Sequence, residues 1–335
     1  MSESPLPLSV LDLALVADGQ TTAEALADTV AVAQAAERLG CRRIWVAEHH
    51  NMETVASTSP PVLIAHLASV TSTIRVGSGG VMLPNHAPLV VAEQFALLEA
   101  LHPGRIDLGI GRAPGTDRAT AVVLRRGPGN RDDEEFPQSV IDLMGLLGDR
   151  RYNQGLWDHF RATPAATSSP DVFLLGSSGF SAQLAGMLGL PFAFAHHFDM
   201  GGTIEAAGIY RDHFEPSTVL AEPRLLVTAS ALAADTDAEA QRLSAPNRLR
   251  RLGLRTGRLL PLMSPAEALA HPSYPQARDM DTAALVGTAE TVCDGLRDLA
   301  ERTQASEIML FTSTHELVDR LHSFELVANQ WGLRT

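Results

Sequence analysis

Short apolar runs alternate with amphipathic segments along almost the whole chain. Eight of the runs have the length of buried parallel strands, and each is followed by sequence whose apolar residues recur at helical spacing. Repeated strand–helix units predict an α/β fold with a parallel sheet, and eight of them favour a closed (β/α)8 TIM barrel. The predicted strands are Pro7–Val16, Arg43–Ala47, Ile74–Leu83, Ile106–Ile110, Val172–Leu175, Phe192–Ala195, Arg224–Ala231 and Ile308–Phe311.

The pattern predicts one barrel domain over residues 1–335, with insertions after strands four and seven. The first insertion is rich in glycine, proline and arginine and runs to about Asn130. The second includes residues 247–280, in which a segment with five arginines precedes a stretch rich in proline, alanine and histidine. We interpret residues 247–280 as a mobile lid. Its arginines could clamp an anion, but a solvated helix face is the simpler interpretation.

Composition narrows the possible chemistry. The chain has 335 residues, of which 45% are hydrophobic and 19% charged, as in an ordinary globular protein. It contains no lysine, because all 26 basic residues are arginine, and this excludes Schiff-base chemistry, a P-loop and a protein kinase. The net charge of −13 argues against nucleic acid or an anionic membrane as the main partner.

The sequence also predicts a cytoplasmic location. No stretch approaches the roughly 18–20 uncharged apolar residues of a membrane span, and residues 1–7 lack the basic and apolar regions of a signal peptide. Cys41 and Cys293 are too few for a disulfide framework or a structural zinc site.

Active sites of TIM barrels lie at the carboxyl ends of the strands, so the histidines found there are candidates for chemistry. Strand two ends in Glu48, His49 and His50. Because adjacent strand residues face opposite ways, only one of the two histidines can point into the barrel mouth. It could act as an acid or base, or be structural. His196 and His197 follow strand six, and here too only one of the two can face the barrel mouth, where it could be catalytic or structural.

Three further strand ends suggest an anionic or closely approaching ligand. Gly79 and Gly80 lie within strand three, and glycine in a strand often marks the close approach of a ligand, although a bulge is the alternative. Arg112 follows strand four and suits a phosphate or carboxylate, unless it is a surface arginine. Residues 176–178 (Gly-Ser-Ser) precede a helix, where hydroxyls and free N–H groups form an anion site, or where Ser178 simply caps the helix.

A metal hydrolase is a rival interpretation of the same barrel. Asp12 on strand one could chelate a metal with histidines from two other strands. However, strand one carries no paired histidines, and a carboxylated bridging lysine is impossible in this chain. We therefore predict no metal site and take Asp12, Glu48 and His196 as candidates for the substrate pocket.

Taken together, the strand ends resemble those of the luciferase-like flavin-dependent monooxygenases. The matching stretches occur in the family's order over nearly the whole chain, and the ordered set is more specific than any one motif. They are WVAEHH (45–50), VGSGGVMLP (76–84), HAPLVVAEQF (86–95), GRIDLGIGR (104–112), LLGSSGFSAQL (174–184) with Leu190-Pro191, and VGTAE (286–290).

The resemblance implies a reaction and a cofactor. Reduced FMN, supplied by a separate NAD(P)H-dependent flavin reductase, would react with O2, and one oxygen atom would pass to a small organic substrate. His49 matches the family's catalytic histidine, and Glu48 beside it matches a family residue too. Arg112, Gly176, Ser177 and Ser178 match the surroundings of the flavin phosphate.

The same resemblance implies a non-prolyl cis peptide between Gly79 and Gly80, beneath the flavin ring, and a homodimer. Ser177 stands where luciferase has a glutamate, and the segment from Asn247 to Met280 differs from luciferase's mobile loop. Both departures argue against light emission and for an oxygenase of other substrates, including secondary metabolites. Two alternatives stay open: hydride transfer with deazaflavin F420, and flavin binding without catalysis.

Overall fold

Residues 5–125, 132–149, 151, 159–198, 200–258 and 260–333 are described by a computed structural model of the chain. Its strands, in chain order, are β1 (Leu8–Asp12), β2 (Arg43–Val46), β3 (Arg75–Met82), β4 (Ile106–Gly111), β5 (Asp171–Gly176), β6 (Phe192–Phe194), β7 (Leu225–Ala233), β8 (Leu285–Gly287) and β9 (Glu307–Phe311).

All strands but β8 form a closed parallel barrel, and this confirms the predicted (β/α)8 fold. Strands β1 to β7 pair in chain order, and β9 closes the ring between β7 and β1. The three-residue strand β8 pairs in parallel with the end of β7, outside the ring. The sequence pattern did not predict β8.

Helices surround the barrel. They are α1 (Thr22–Arg38), α2 (Pro60–Ser69), α3 (Pro88–Leu101), α4 (Arg118–Arg125), α5 (Asp132–Leu146), α6 (Gly179–Met187), α7 (Thr203–Asp212), α8 (Asp237–Thr256), α9 (Pro265–Ala270), α10 (Tyr274–Arg278), α11 (Ala289–Thr303) and α12 (Leu317–Trp331). Helices α4 and α5 lie between β4 and β5, and helices α8 to α11 follow β7. In the described part of the chain, no helix combines the length and the hydropathy that a bilayer span requires.

The first strand is shorter than predicted because the chain turns sharply after Asp12. Ala14 adopts a positive φ of 48°, and the Asp12 carboxylate accepts its N–H at 2.6 Å. Helix α1 then begins where Thr21 forms a capping box with Glu24, whose backbone N–H donates to the threonine hydroxyl.

Side chains inside the barrel are arranged in layers. The middle layer is apolar and includes a Trp45–Phe173 pair in edge-to-face contact, with ring centroids 4.9 Å apart. The strand residues that alternate with this layer, such as Val10 and Ile44, face outward and pack against the helices. Members of the middle layer are Leu11, Trp45, Phe173, Ala193, Leu226 and Met309.

Beneath the apolar layer, toward the amino ends of the strands, lies a buried cluster of charges. The Arg43 guanidinium donates to Asp107 at 2.6 Å and to Glu307 at 2.7 Å, and all three side chains are almost fully buried. Asp107 also pairs with Arg75 at 2.6 Å and accepts the Trp45 indole N–H at 2.9 Å. Burial opposes the charged form, but the two carboxylates raise the pKa of Arg43 above its usual value.

We expect Asp107→Asn to destabilise the protein strongly, because it removes one of the two carboxylates that compensate the buried Arg43 and the nearer of the two that pair with Arg75. The free energy of unfolding should fall by about 3–5 kcal/mol, measured by urea denaturation. Asp298→Asn is the matched control, since Asp298 pairs with Arg302 on an exposed helix surface and should cost about 0.5 kcal/mol or less. Equal losses in the two variants would contradict a structural role for the cluster.

Candidate active site

A cavity of about 370 Å³ opens at the carboxyl ends of the barrel strands. Its volume lies within the range of roughly 300–1,000 Å³ that is typical of small-molecule sites. The apolar middle layer forms its floor through Leu11, Trp45, Ala193 and Met309. The structure brings the predicted catalytic and cofactor-binding residues together in its wall: His49, Gly79, Gly80, Arg112, Gly176, Ser177 and Ser178.

His49 is the strand-two histidine that faces this cavity. Trp45, Ala47 and His49 all line it, so the alternation of β2 continues beyond the last strand residue. The His49 Nδ1 atom is buried and has no hydrogen-bond partner in the described part of the chain. Burial lowers the pKa of His49 below 6.5, and the neutral imidazole is therefore the dominant form at neutral pH.

Glu48 lies behind the cavity wall and joins the segment that follows β2 to the segment at the end of β3. Its buried carboxylate accepts hydrogen bonds from the ring nitrogens of His50 at 2.8 Å and His86 at 2.9 Å. It also accepts the Met82 backbone N–H at 3.0 Å and the Asn85 amide at 3.2 Å. Burial alone would raise the pKa of Glu48, but these hydrogen bonds hold it below its usual value. Glu48 and His50 do not line the cavity, so they position the loop that carries His49.

The Gly79–Gly80 peptide is cis, as the resemblance implied, and both glycines line the cavity. The register between β3 and β4 shifts between Gly79 and Val81, so the peptide lies at an irregularity of the sheet. A Cβ atom on Gly80 would lie 2.8 Å from the Gly109 carbonyl oxygen, closer than a side chain can tolerate. The main chain is therefore bare on this wall, and a flat ligand can approach it closely.

Arg112 and the residues that precede α6 line one part of the cavity. The Arg112 guanidinium lies over the Phe180 ring, 4.4 Å from its centroid, in the first turn of α6. Ser178 directly precedes α6, but its side chain makes no capping hydrogen bond. The simple capping interpretation of Ser178 is therefore not what the structure shows. Backbone N–H groups at a helix start together with a guanidinium suit a phosphate.

Like Glu48, the other two predicted substrate-pocket residues do not line the cavity. Asp12 points out of the barrel, since its neighbours Leu11 and Leu13 face in, and its carboxylate accepts hydrogen bonds from Thr29 and Arg320. His196 lines a separate surface depression, and its Nδ1 lies 2.8 Å from the Thr203 hydroxyl.

His197, rather than His196, lines the main cavity. Ala193, Ala195 and His197 all face it, so the alternation along β6 could have identified His197 from the sequence. Burial lowers the pKa of His197 to about 3, which keeps its ring neutral. Met82, Phe198 and Thr228 also line the cavity and carried no distinctive sequence signal.

A second cavity of about 200 Å³ adjoins the first and shares Leu13, His197 and Phe198 with it. Helix α8, which contains the first part of the predicted lid, forms one wall. Of the five arginines of the predicted lid segment, three line this cavity: Arg248, Arg250 and Arg251. The other two, Arg255 and Arg258, are exposed, as a solvated face predicts.

The predicted lid segment also contacts the barrel. Asn247 exchanges two hydrogen bonds with Ser313, each 2.6 Å long, and the Asp18 N–H donates to the Leu262 carbonyl at 2.9 Å. These contacts hold residues 247–280 at the loops that follow β1 and β9. Over the described residues, no three or more histidine, cysteine, aspartate or glutamate side chains are grouped so that they could hold a metal ion.

Comparison with known proteins agrees with this geometry. The profile of the luciferase-like monooxygenase family matches residues 6–306. The chain is 45% identical to protein YvbT of Bacillus subtilis (98% of this chain and 97% of YvbT) and 42% identical to a luciferase-like monooxygenase of Escherichia coli K12 (97% of each chain). The crystal structure of apo-MsnO8 superposes with a TM-score of 0.90 at 37% identity, over 98% of this chain and 99% of MsnO8. The chain belongs to the luciferase-like monooxygenase family.

Proposed function

We propose that this chain is the oxygenase component of a two-component monooxygenase, which uses reduced FMN and O2 to insert one oxygen atom into a small organic substrate. The observation that carries the proposal is the composition of one cavity wall. A neutral histidine, a bare cis Gly79–Gly80 backbone, Arg112 and the start of α6 all line the same cavity.

The residues present fit FMN. The isoalloxazine ring would lie against Gly79 and Gly80, which carry no side chains, and the phosphate would lie at Arg112, Ser177 and Ser178. When bound in its reduced form, the cofactor supplies the electrons that activate oxygen.

The chain's own residues would orient the cofactor, move a proton and exclude water. His49 would hold or accept a proton at Nδ1, the atom left without a partner. The apolar floor limits the water that reaches the reacting atoms, and residues 247–280 would close over the cavity.

Relatives with more specific names support an oxygenase and a reductase partner. The N-acetyl-S-alkylcysteine monooxygenase of Bacillus subtilis is 33% identical over 96% of this chain. The oxygenase component of the flavin-dependent trigonelline monooxygenase of Acinetobacter baylyi is 26% identical over 92%. We infer that a separate NAD(P)H:flavin reductase supplies the reduced FMN, and that the chain acts as a cytoplasmic homodimer.

The cofactor can be tested directly against F420, since an F420-dependent secondary alcohol dehydrogenase shares the fold with a TM-score of 0.68 at 15% identity. We expect the protein to bind reduced FMN at least about tenfold more tightly than reduced F420, because the doubly charged phosphate monoester of FMN would pair more strongly with Arg112 than the singly charged phosphodiester of F420. Affinity is measured by equilibrium dialysis under nitrogen, and oxygen uptake is then followed with a flavin reductase and NADH. Tighter binding of F420, or FMN binding without any oxygen-dependent turnover, would overturn the proposal.

We expect Arg112→Met to weaken FMN binding by about 10–100-fold, as the loss of a charged hydrogen bond to phosphate predicts. Riboflavin lacks the phosphate, so its affinity should change less than about twofold. Fluorescence quenching of each flavin measures both affinities. Arg118→Met is the control, since Arg118 is exposed at the start of α4. Equal weakening of FMN and riboflavin would place the phosphate elsewhere.

We expect His49→Ala to retain FMN affinity within about twofold and to slow oxygen-dependent turnover by about 10²–10⁴-fold, the usual contribution of acid–base catalysis. Turnover is followed as substrate-stimulated oxygen uptake. His66→Ala, at an exposed position on α2, should behave as wild type. Wild-type turnover in His49→Ala would show that His49 has no such role.

The pH dependence of turnover tests the same residue. Because burial lowers the pKa of His49, the neutral form persists below pH 6.5. The rate should therefore stay level as the pH falls through 6.5 and decline only at more acidic pH, where Nδ1 is protonated. This acidic inflection should be missing in His49→Ala, whereas an inflection above pH 6.5 that His49→Ala abolishes would contradict the assignment.

A further inference from the structure

Arg250 on α8 lines the second cavity, and part of its guanidinium is buried there. The Nη1 atom of Arg250 is inaccessible to solvent and has no hydrogen-bond partner in the described part of the chain. Burial lowers the pKa of Arg250 to about 10, and among the described residues no carboxylate offsets this effect. The guanidinium still carries its positive charge at neutral pH.

Other arginines of the structure differ from Arg250 because their guanidinium groups have hydrogen-bond or ion-pair partners. Arg43 and Arg320, which are almost fully buried residues, each pair with a carboxylate at 3.0 Å or less. Beside Arg250, Arg248 donates to the Arg278 carbonyl and Arg251 to the Thr282 hydroxyl. Arg250 thus has the feature expected of a ligand-binding cation, because a buried charge is costly until an anion pairs with it.

The lining of the cavity is consistent with an anionic ligand that has an apolar body. Neither this cavity nor the first one is lined by aspartate or glutamate, as far as the described residues extend. An anion bound at Arg250 would therefore meet no like charge in the wall. The apolar part of the lining is supplied by Leu13, Leu15, Leu232, Val286 and Phe311.

The second cavity lies next to the proposed reaction centre. Leu13, His197 and Phe198 form a wall common to both cavities. Arg250 is also close enough to His49 for its charge to contribute to the lowered pKa of that histidine, after the larger effect of burial. A ligand held at Arg250 can thus extend along the common wall toward His49.

We propose that the substrate is an organic acid, whose carboxylate or sulfonate pairs with Arg250 and whose apolar body passes Leu13 and Phe198 into the first cavity. This inference rests on the proposed function, because it assigns the substrate class of the same site. Arg250 is then a specificity-determining residue, and α8 covers the substrate rather than the flavin phosphate.

The test measures binding to the FMN-loaded protein by isothermal titration calorimetry. The probes are linear carboxylates from butanoate to decanoate, the matching sulfonates and the matching primary amides. For at least one chain length, an acid should bind about 10–100-fold more tightly than its amide, as a charged hydrogen bond predicts. Whether the carboxylate or the sulfonate binds better shows which oxyanion the site prefers. If no acid is preferred over its amide, the proposal is overturned.

Substitutions of Arg250 test whether this arginine causes the preference for the acid over its amide. Arg250→Met should remove the preference for the acid and leave amide affinity within about twofold, and Arg250→Lys should restore part of it. Arg242→Met is the control, since Arg242 lies on the same helix in an exposed pair with Glu239. The melting temperature of Arg250→Met should not fall, because the substitution removes an unpaired buried charge. An unchanged preference in Arg250→Met would overturn the proposal.

FMN and riboflavin affinities, measured on the same variants, separate this inference from the proposed function. If the wild-type protein does not bind FMN, the proposed function fails whatever the acids do. If FMN binds and the acids are not preferred, only the substrate class is wrong. If Arg250→Met weakens FMN but not riboflavin, Arg250 holds the flavin phosphate and the inference is overturned.

Discussion

The ion pairs of Arg43 at the base of the barrel are the interaction on which the rest of the interior depends. They join β2 to β4 through Asp107 and to β9 through Glu307, and so connect strands on different sides of the ring. A buried cluster of this kind is stable only when every charge has partners, and here each charge has at least one at close range. The apolar layer above it separates these charges from the cavity, which is lined by other polar residues, among them His49, Arg112 and Ser177.

Close packing of β3 on β4 imposes a second constraint. A Cβ on Gly77 would lie 2.5 Å from the Asp107 Cβ, and one on Gly109 would lie 2.1 Å from the Ser78 carbonyl oxygen. Glycine at these positions lets the indole of Trp45 and the Asp107 carboxylate share one level of the barrel. Two residues further along β3, the same lack of side chains leaves a bare backbone in the cavity at Gly79. Glycines in β3 thus serve both the core and the candidate site.

Much of this architecture could be predicted from the sequence, because parallel strands buried on both faces leave strong apolar runs. All eight barrel strands were found, although β1 ends four residues earlier than predicted, at the turn that Asp12 stabilises. The cavity residues were found because they lie at strand ends and resemble a known family. Asp12, Glu48 and His196 were predicted to line the substrate pocket but lie outside the cavity, since residue type alone does not tell which way a side chain faces. The role of Arg250 depends on what surrounds it on α8, and no local pattern encodes that.

The charged residues that line the cavities have the opposite sign to the net charge of the molecule. The chain as a whole carries a net charge of −13, yet the walls of both cavities present arginines and, among the described residues, no carboxylate. Small anions are then repelled by most of the surface and attracted at the barrel mouth, where low-dielectric walls focus the field. The electric field would then guide an anionic cofactor or substrate to the barrel mouth. The rate of association would depend on the ionic strength, because salt screens this field.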